Sequence, residues 1–215
     1  MRILKPTGST AISRSYREIL SHLEAVCSPE RVRHSRDVAE LAAALCTRCG
    51  LPPALGRLAG IGHDIAREYN DETVRDLVRR YRVRAGKWER EHPVVLHGKL
   101  GAVLLKRRFG VRDRRVLAAV RDHVLGRPRM SRLTKILYVS DFLEPGRGFL
   151  EDGERRRLAA LPLDRAVLRV TEAIFAYLNA GGKAIAPVTK KMYDRLAVRV
   201  AADNPPHHPN GAGKE

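Results

Sequence analysis

Six side chains with metal-binding chemistry are spread widely along this 215-residue chain. They are His34, His63, Asp64, His97, His123 and Asp141. Imidazole nitrogens and carboxylate oxygens together suit divalent ions such as iron and manganese. Because only His63 and Asp64 are adjacent, the other residues can share a site only if distant segments converge. The set predicts a metal centre that is assembled by the fold.

The spacing of apolar neighbours indicates that these residues face the protein interior. His123 comes seven residues after Val116 and three after Val120, so it lies on the same helical face as both. Asp141 follows Leu137 by four residues and shares its apolar face. A carboxylate there is costly unless it is paired or metal-bound. One inward histidine is more often a hydrogen-bonded core residue, but four with two aspartates favour a metal site.

The elements that must position this set are helices, because apolar residues recur at helical spacing along nearly the whole chain. Ser28, Asp71 and Ser131 stand where helix N-caps are expected, and Pro29 suits a first helical position. The expected helices are 15–27, 29–49, one opened by Pro52 and Pro53, one capped by Asp71, 93–110, one beginning at Asp113, one capped by Ser131, 164–180 and 187–202. Residues 82–92 are polar and predict a loop.

The composition favours one cytoplasmic, all-α domain. Apolar residues make up 44% of the chain, but aromatic residues only 5%, which predicts a core of aliphatic side chains. We expect a flexible N-terminal extension over residues 1–14, the domain over 15–202 and a disordered tail over 203–215. No apolar run is long enough to cross a membrane, and no secretory signal is visible. Three cysteines argue against a secreted disulfide framework.

The net charge of +17 predicts a partner or substrate that is negatively charged. Nucleotides, nucleic acids and anionic lipids all fit, and the charge alone does not separate them. A basic RNA-associated binding protein is therefore one alternative. No recognised nucleic-acid module and few aromatic residues are present, so we expect no specific nucleic-acid partner.

Several sequence blocks give a more specific indication. These are ERVRH, LAGIGHDIAREY, HPVVLHGKLGA, VRDHVLGRPRMSRLTKILYVSDFLEPGR and GGKAIAPVTKKMYDRL, which together span roughly residues 16–198. In this order they resemble the YqeK family of the HD superfamily of metallohydrolases. The resemblance implies an HD-domain helical bundle that hydrolyses symmetrical dinucleoside tetraphosphates, such as diadenosine tetraphosphate to two ADP, by means of metal-bound hydroxide.

The resemblance also implies roles for the six residues. One divalent ion would be held by His34, His63, Asp64 and Asp141, and Asp64 would bridge to a second ion at His97 and His123. His63 and Asp64 would be the catalytic pair. Iron is the first choice of metal, one or two ions being bound, with manganese or cobalt as substitutes. A homodimer is one expected oligomeric state.

Four cations near these motifs are candidate phosphate contacts: Arg31, Arg67, Lys135 and Arg147. An arginine can bind a phosphate through two hydrogen bonds at once. The alternative for each is an ordinary charge on a helix surface. A nucleotidase or phosphodiesterase acting on another nucleotide is the alternative enzyme, since the same metal chemistry would serve it.

Overall fold

The structure, a computed structural model, describes residues 8–203, which form eleven α-helices and one short 3-10 helix, without a strand. The all-α prediction is thereby confirmed. The α-helices are α1 (Gly8–Val26), α2 (Pro29–Arg48), α3 (Pro53–Gly62), α4 (Asp71–Arg80), α5 (Lys87–Glu91), α6 (His97–Arg108), α7 (Arg114–Asp122), α8 (Arg132–Leu143), α9 (Asp152–Ala160), α10 (Leu163–Ala180) and α11 (Pro187–Ala202). The 3-10 helix is Pro93–Leu96.

Side-chain caps start several of these helices. Ser28 accepts a hydrogen bond from the Arg31 backbone N–H, and Ser131 from that of Thr134, as predicted. The predicted cap at Asp71 is wrong, because Asn70 caps α4 and Asp71 is its first residue. Adjacent Asn and Asp residues are both good caps, so composition alone does not choose between them.

Three stretches differ from the predicted layout. Helix α5 lies inside the predicted loop 82–92, and α9 follows the turn-rich break after α8, where no helix was expected. Both are mainly polar, so neither carries an apolar stripe for periodicity to detect. Helix α1 begins at Gly8 instead of residue 15. The rest of the proposed N-terminal extension, residues 1–7, and the proposed tail after residue 203 lie outside the described residues.

Helices α2 and α3 pack in very close contact. A Cβ atom built on Gly60 would lie 2.4 Å from the Ala39 Cα, and one on Gly56 would lie 2.4 Å from the Ala42 carbonyl oxygen. Glycine at both positions therefore lets the two backbones touch. This contact fixes the distance between the helices that carry His34 and His63.

The core is almost wholly aliphatic, as the composition predicts. Tyr138 is the one aromatic side chain among the buried hydrophobic residues described. The core lies between α1, α2, α3, α6, α7 and α8, with α10 packed on α8 and α11 packed on α10. Within residues 8–203 no helix combines the length and apolarity needed to span a membrane.

Candidate metal centre

Five segments deliver the six predicted ligands to one place. His34 lies in the second turn of α2 and Asp141 in the last turn of α8. His63 and His123 each occupy the position that ends a helix, α3 and α7 respectively, and His97 is the first residue of α6. Asp64 lies in the turn after α3. The structure therefore brings all six predicted residues together.

Each histidine is held by a hydrogen bond from its Nδ1 atom. Three of them donate to the backbone carbonyl three residues earlier, at 2.7 Å for His63, 2.6 Å for His97 and 2.8 Å for His123. His34 Nδ1 instead faces the Glu144 Oε1 at 3.1 Å. With the Nδ1 proton committed to an acceptor, the lone pair of a neutral imidazole is on Nε2. This is the arrangement that orients histidine ligands of metals.

The four Nε2 atoms converge on the two carboxylates. His34 Nε2 lies 3.2 Å from the Asp141 Oδ1 and 3.1 Å from the His63 Nε2. His63 Nε2 lies 3.5 Å from the Asp64 Oδ2 and 3.7 Å from the Asp141 Oδ1. Donor atoms this close to one another can share an ion.

Asp64 divides its two oxygens between two groups of histidines. Its Oδ2 faces His63 and His34, at 3.5 Å and 3.7 Å from their Nε2 atoms. Its Oδ1 faces the other pair, at 3.2 Å from His97 and 3.6 Å from His123. A carboxylate placed in this way can bridge two adjacent ions.

The donor set fits a cation better than it fits an empty core. If the Nδ1 atoms of His34 and His63 carry protons, their Nε2 lone pairs face each other across 3.1 Å. Two acceptors at that distance repel unless a cation or a proton lies between them. Imidazole nitrogen mixed with carboxylate oxygen suits iron, manganese and zinc more than calcium or magnesium.

The electrostatics of the cluster also favour positive charge. Burial would lower the pKa of His34, but hydrogen bonding to Asp141 and Glu144 outweighs it and raises that pKa to about 9. Burial would likewise raise the pKa of Asp64, yet the surrounding histidines, His63 foremost, hold it well below its usual range. The pKa of Asp141 is also held well below its usual range, because hydrogen bonds from His34 and His63 outweigh the effect of burial. Both aspartates are therefore ionised at neutral pH.

Two of the predicted phosphate contacts reach the cluster. Arg31 forms an ion pair with the Asp64 Oδ2. Arg147 Nη2 lies 2.7 Å from the Asp141 Oδ1 and its Nε donates to the Asp141 carbonyl. Both line a cavity of about 260 Å³ that opens over His34. Its volume is below the ~300–1,000 Å³ of typical ligand pockets, so it suits part of a nucleotide, such as a phosphate.

The other two predicted cations differ from this pair. Arg67 is half-buried, and its side chain makes no hydrogen bond or ion pair with the residues that the structure describes. Lys135 forms an ion pair with Asp164 of α10, beside Arg199 of α11. This ion pair directs Lys135 toward α10 and α11 and not toward the six ligand candidates, so the geometry does not support Lys135 as a phosphate contact.

Two residues beside the centre, Glu144 and Arg155, were not predicted from the sequence. Glu144, 2% exposed, accepts the hydrogen bond from the His34 Nδ1. Buried Arg155 donates to four backbone carbonyls between residues 143 and 150, which ties down the segment that carries Glu144 and Arg147. The available signal was a carboxylate directly before Pro145 at a helix end, while nothing in the spacing marks Arg155.

Residues 31–146 match the HD domain, a segment of more than half the chain that contains all six ligand candidates. The chain belongs to the HD-domain family. Its relatives place it in the YqeK family, which the sequence motifs resemble. Over 179 residues it is 30% identical to the symmetrical bis(5'-nucleosyl)-tetraphosphatase of Bacillus subtilis, covering 83% of this chain and 96% of the relative. The enzyme of the same name from Halalkalibacterium halodurans is 30% identical over 171 residues, covering 77% of this chain and 88% of the relative.

A solved HD-domain structure agrees with this placement. The HD superfamily hydrolase from Clostridium acetobutylicum, described as involved in NAD metabolism, superimposes with a TM-score of 0.81 at 29% identity. The match covers 86% of this chain and 97% of that protein. The likeness therefore extends beyond the HD-domain match of residues 31–146.

Proposed function

We propose that this HD-domain protein hydrolyses symmetrical dinucleoside tetraphosphates, with diadenosine tetraphosphate giving two ADP. The observation that carries the proposal is the divided carboxylate of Asp64, set between two pairs of histidines. Relatives that this chain matches over most of their length bear the name of that activity. Water is the second reactant, and one P–O–P bridge is broken while one P–OH group forms on each product.

The six residues would hold one or two divalent ions, with iron as the first choice and manganese or cobalt as substitutes. His34, His63, Asp64 and Asp141 suit one ion, and Asp64 with His97 and His123 suits a second. When bound, such ions lower the pKa of water toward neutrality and offset charge on phosphoryl oxygens.

The chain's own residues would orient the substrate around that centre. Arg31 and Arg147 each hold a ligand carboxylate from the cavity side, so each guanidinium has donors that can pass to a phosphate. Arg67 has no competing side-chain partner among the described residues and is the third candidate. The backbone carbonyls that accept hydrogen bonds from His63, His97 and His123 would keep those rings in place while the substrate is hydrolysed.

The test is turnover of diadenosine tetraphosphate with Fe(II), Mn(II) or Co(II) added and with a chelator as control, resolving products by chromatography. ADP as sole product, lost with chelator, would support the proposal. ATP with AMP would contradict symmetrical cleavage, and faster turnover of mononucleotides would favour the nucleotidase alternative.

Matched variants connect the activity to the centre. Asp64→Asn and His63→Ala should abolish turnover and lower the metal content while the protein stays helical. Asp71→Asn removes the same kind of charge from the exposed start of α4 and should leave turnover unchanged. Retained activity in either ligand variant would refute the site. A cytoplasmic location and a homodimeric state remain predictions of this proposal.

A further inference from the structure

A second, larger cavity lies on another part of the surface. It runs between the segment 81–89, helices α6 and α7, the loop after α7 and the first turn of α11, and its volume is about 1110 Å³. That exceeds the ~300–1,000 Å³ of typical small-molecule pockets. None of the six ligand candidates lines it. We call it the basic groove because most of its charged lining residues are basic.

Positive charge is concentrated in this groove. Ten of its lining residues are basic and two, Glu89 and Asp122, are acidic. The basic residues are Arg82, Arg84, Lys87, Lys99, Lys106, Arg107, Arg114, Arg121, Arg127 and Lys191. They come from at least four separate elements, so the fold gathers cations that are scattered in the sequence. A concave surface with one sign of charge focuses its field on an incoming anion.

Most of this charge is not neutralised within the protein. The two acidic residues are already bound, Glu89 by Lys99 at 2.6 Å and Asp122 by Arg121 at 2.6 Å. Six of the ten cations have no carboxylate partner among the residues that the structure describes. These are Arg82, Arg84, Lys106, Arg107, Arg114 and Lys191.

The groove also has aromatic side chains in one wall. Trp88 lines it, and its ring stacks on His92 with centroids 4.1 Å apart and an interplanar angle of 14°. His92 is itself held by a hydrogen bond to the Trp88 carbonyl at 2.8 Å. The indole is thereby supported on one face by a fixed ring. Tyr81 lines the same groove.

We propose that the basic groove binds a single-stranded nucleic acid chain without regard to its sequence. Proteins of that kind combine a positive groove along the phosphates with aromatic rings for the bases, and both features are present here. A membrane surface is flat and would reach only the rim of the groove. The proposal is independent of the hydrolytic function, and it explains much of the +17 charge.

The test uses Trp88, which is the single tryptophan of the chain. A 12-nucleotide oligouridine RNA, titrated into the full protein at low salt, should quench its emission saturably. The logarithm of the binding constant should fall linearly with that of the salt concentration, by about 0.7 per phosphate contact.

Neutralising three of the unpaired cations then locates the binding. In the triple variant Arg84→Gln, Arg107→Gln, Lys191→Gln, the salt slope should become shallower by about 2, since three phosphate contacts are lost. The affinity at low salt should fall at least about tenfold. Turnover of diadenosine tetraphosphate should be unchanged, because no ligand or proposed phosphate contact is altered.

A control variant removes the same charge elsewhere. Arg75, Arg156 and Arg157 are exposed residues of α4 and α9 that do not line the groove. Replacing all three by Gln should leave the affinity within about twofold and the salt slope unchanged.

Four results would overturn the proposal. They are the absence of saturable quenching, an equal loss of binding in both triple variants, a loss of dinucleotide turnover with the groove variant, and binding to anionic phospholipid vesicles in place of RNA. The second would mean that general surface charge is responsible. The third would assign the groove to the dinucleotide, and the fourth to a membrane.

Discussion

Replacing Gly60 by alanine should disturb both the stability of the protein and the spacing of its metal ligands. Gly60 lies in α3 against α2, and an added Cβ would lie 2.4 Å from the Ala39 Cα and 2.6 Å from the Ala39 nitrogen. Ordinary contact begins at 3.4 Å, so the methyl group falls about 1 Å short of the space it needs. Backbone atoms cannot rotate away, and the two helices must move apart.

The magnitude follows from two opposing effects. Overpacking of this kind costs about 1–3 kcal/mol, and a contact with backbone belongs at the upper end. Alanine is favoured over glycine in a helix by about 1 kcal/mol. The free energy of unfolding should therefore fall by about 2 kcal/mol, and the Tm by about 4–8 °C for a domain of this size.

Gly153→Ala is the matched control, because no atom lies within 4 Å of a Cβ built there. It makes the same chemical change in helix α9, and should leave the Tm unchanged or raise it slightly. The assay is thermal unfolding followed by circular dichroism, in the presence of chelator so that bound metal does not contribute.

A second measurement concerns the site. His34 and His63, carried by the two displaced helices, have Nε2 atoms 3.1 Å apart. A shift of about 1 Å exceeds the roughly 0.5 Å within which a site must be held, so Mn(II) affinity should fall at least about tenfold. If Gly60→Ala melts at or above the wild-type temperature, or binds Mn(II) equally well, the close contact does not set the ligand spacing.

Two further predictions concern the residues behind the centre. Glu144→Gln removes the charge that faces His34 and should lower the metal affinity about 10–100-fold. Glu40→Gln, on the exposed face of α2, is its control and should leave the metal affinity unchanged. Equal metal affinities of the two variants, measured by calorimetry, would show that Glu144 does not position His34. Arg155→Met removes a donor from four carbonyls, of which those of Glu144 and Arg147 keep a backbone N–H donor and those of Leu143 and Leu150 do not. The free energy of unfolding should therefore fall by about 2–4 kcal/mol, with faster proteolysis between residues 144 and 151. Arg156→Met, one residue along and exposed, is its control, and an equal effect of both would contradict the tie.

The sequence was sufficient to predict the six ligand candidates because two kinds of pattern agreed. Helical spacing placed His123 and Asp141 on inward faces, and the structure buries His123 while the Asp141 side chain stays 24% exposed. The ordered motifs pointed to the family. The caps at Ser28 and Ser131 are local features, satisfied within three residues, and were confirmed for that reason. What depends on one helix or one turn is readable from the chain.

Positions relative to other elements were harder to predict. Lys135 and Arg147 both lie six residues from Asp141, yet only Arg147 reaches it. Six residues within a helix correspond to about 240° of rotation, which turns Lys135 away. Arg147 follows the end of α8, where the chain folds back. Two residues at the same distance in sequence from Asp141 therefore point in different directions, because one lies within α8 and the other lies beyond its end.

The basic groove shows the same limit on a larger scale. Its cations are separated by up to 109 positions in the sequence, from Arg82 to Lys191. No run of basic residues in the sequence predicts the groove. The fold brings them to one surface by placing the start of α11 against the loop that follows α7, where the Thr189 hydroxyl donates to the Leu125 carbonyl. The few aromatic residues argued against nucleic-acid binding in the sequence, while the structure places two of them in the groove wall.

The hydrogen bonds of His63, His97 and His123 have a consequence for how such a protein can change over time. Each ring is oriented by a carbonyl three residues earlier in its own segment, so its direction is set by the local backbone turn. Substitutions in the surrounding surface can accumulate without turning these rings. Natural selection or protein design can therefore change the surfaces that determine substrate preference while the orientation of these three rings is retained.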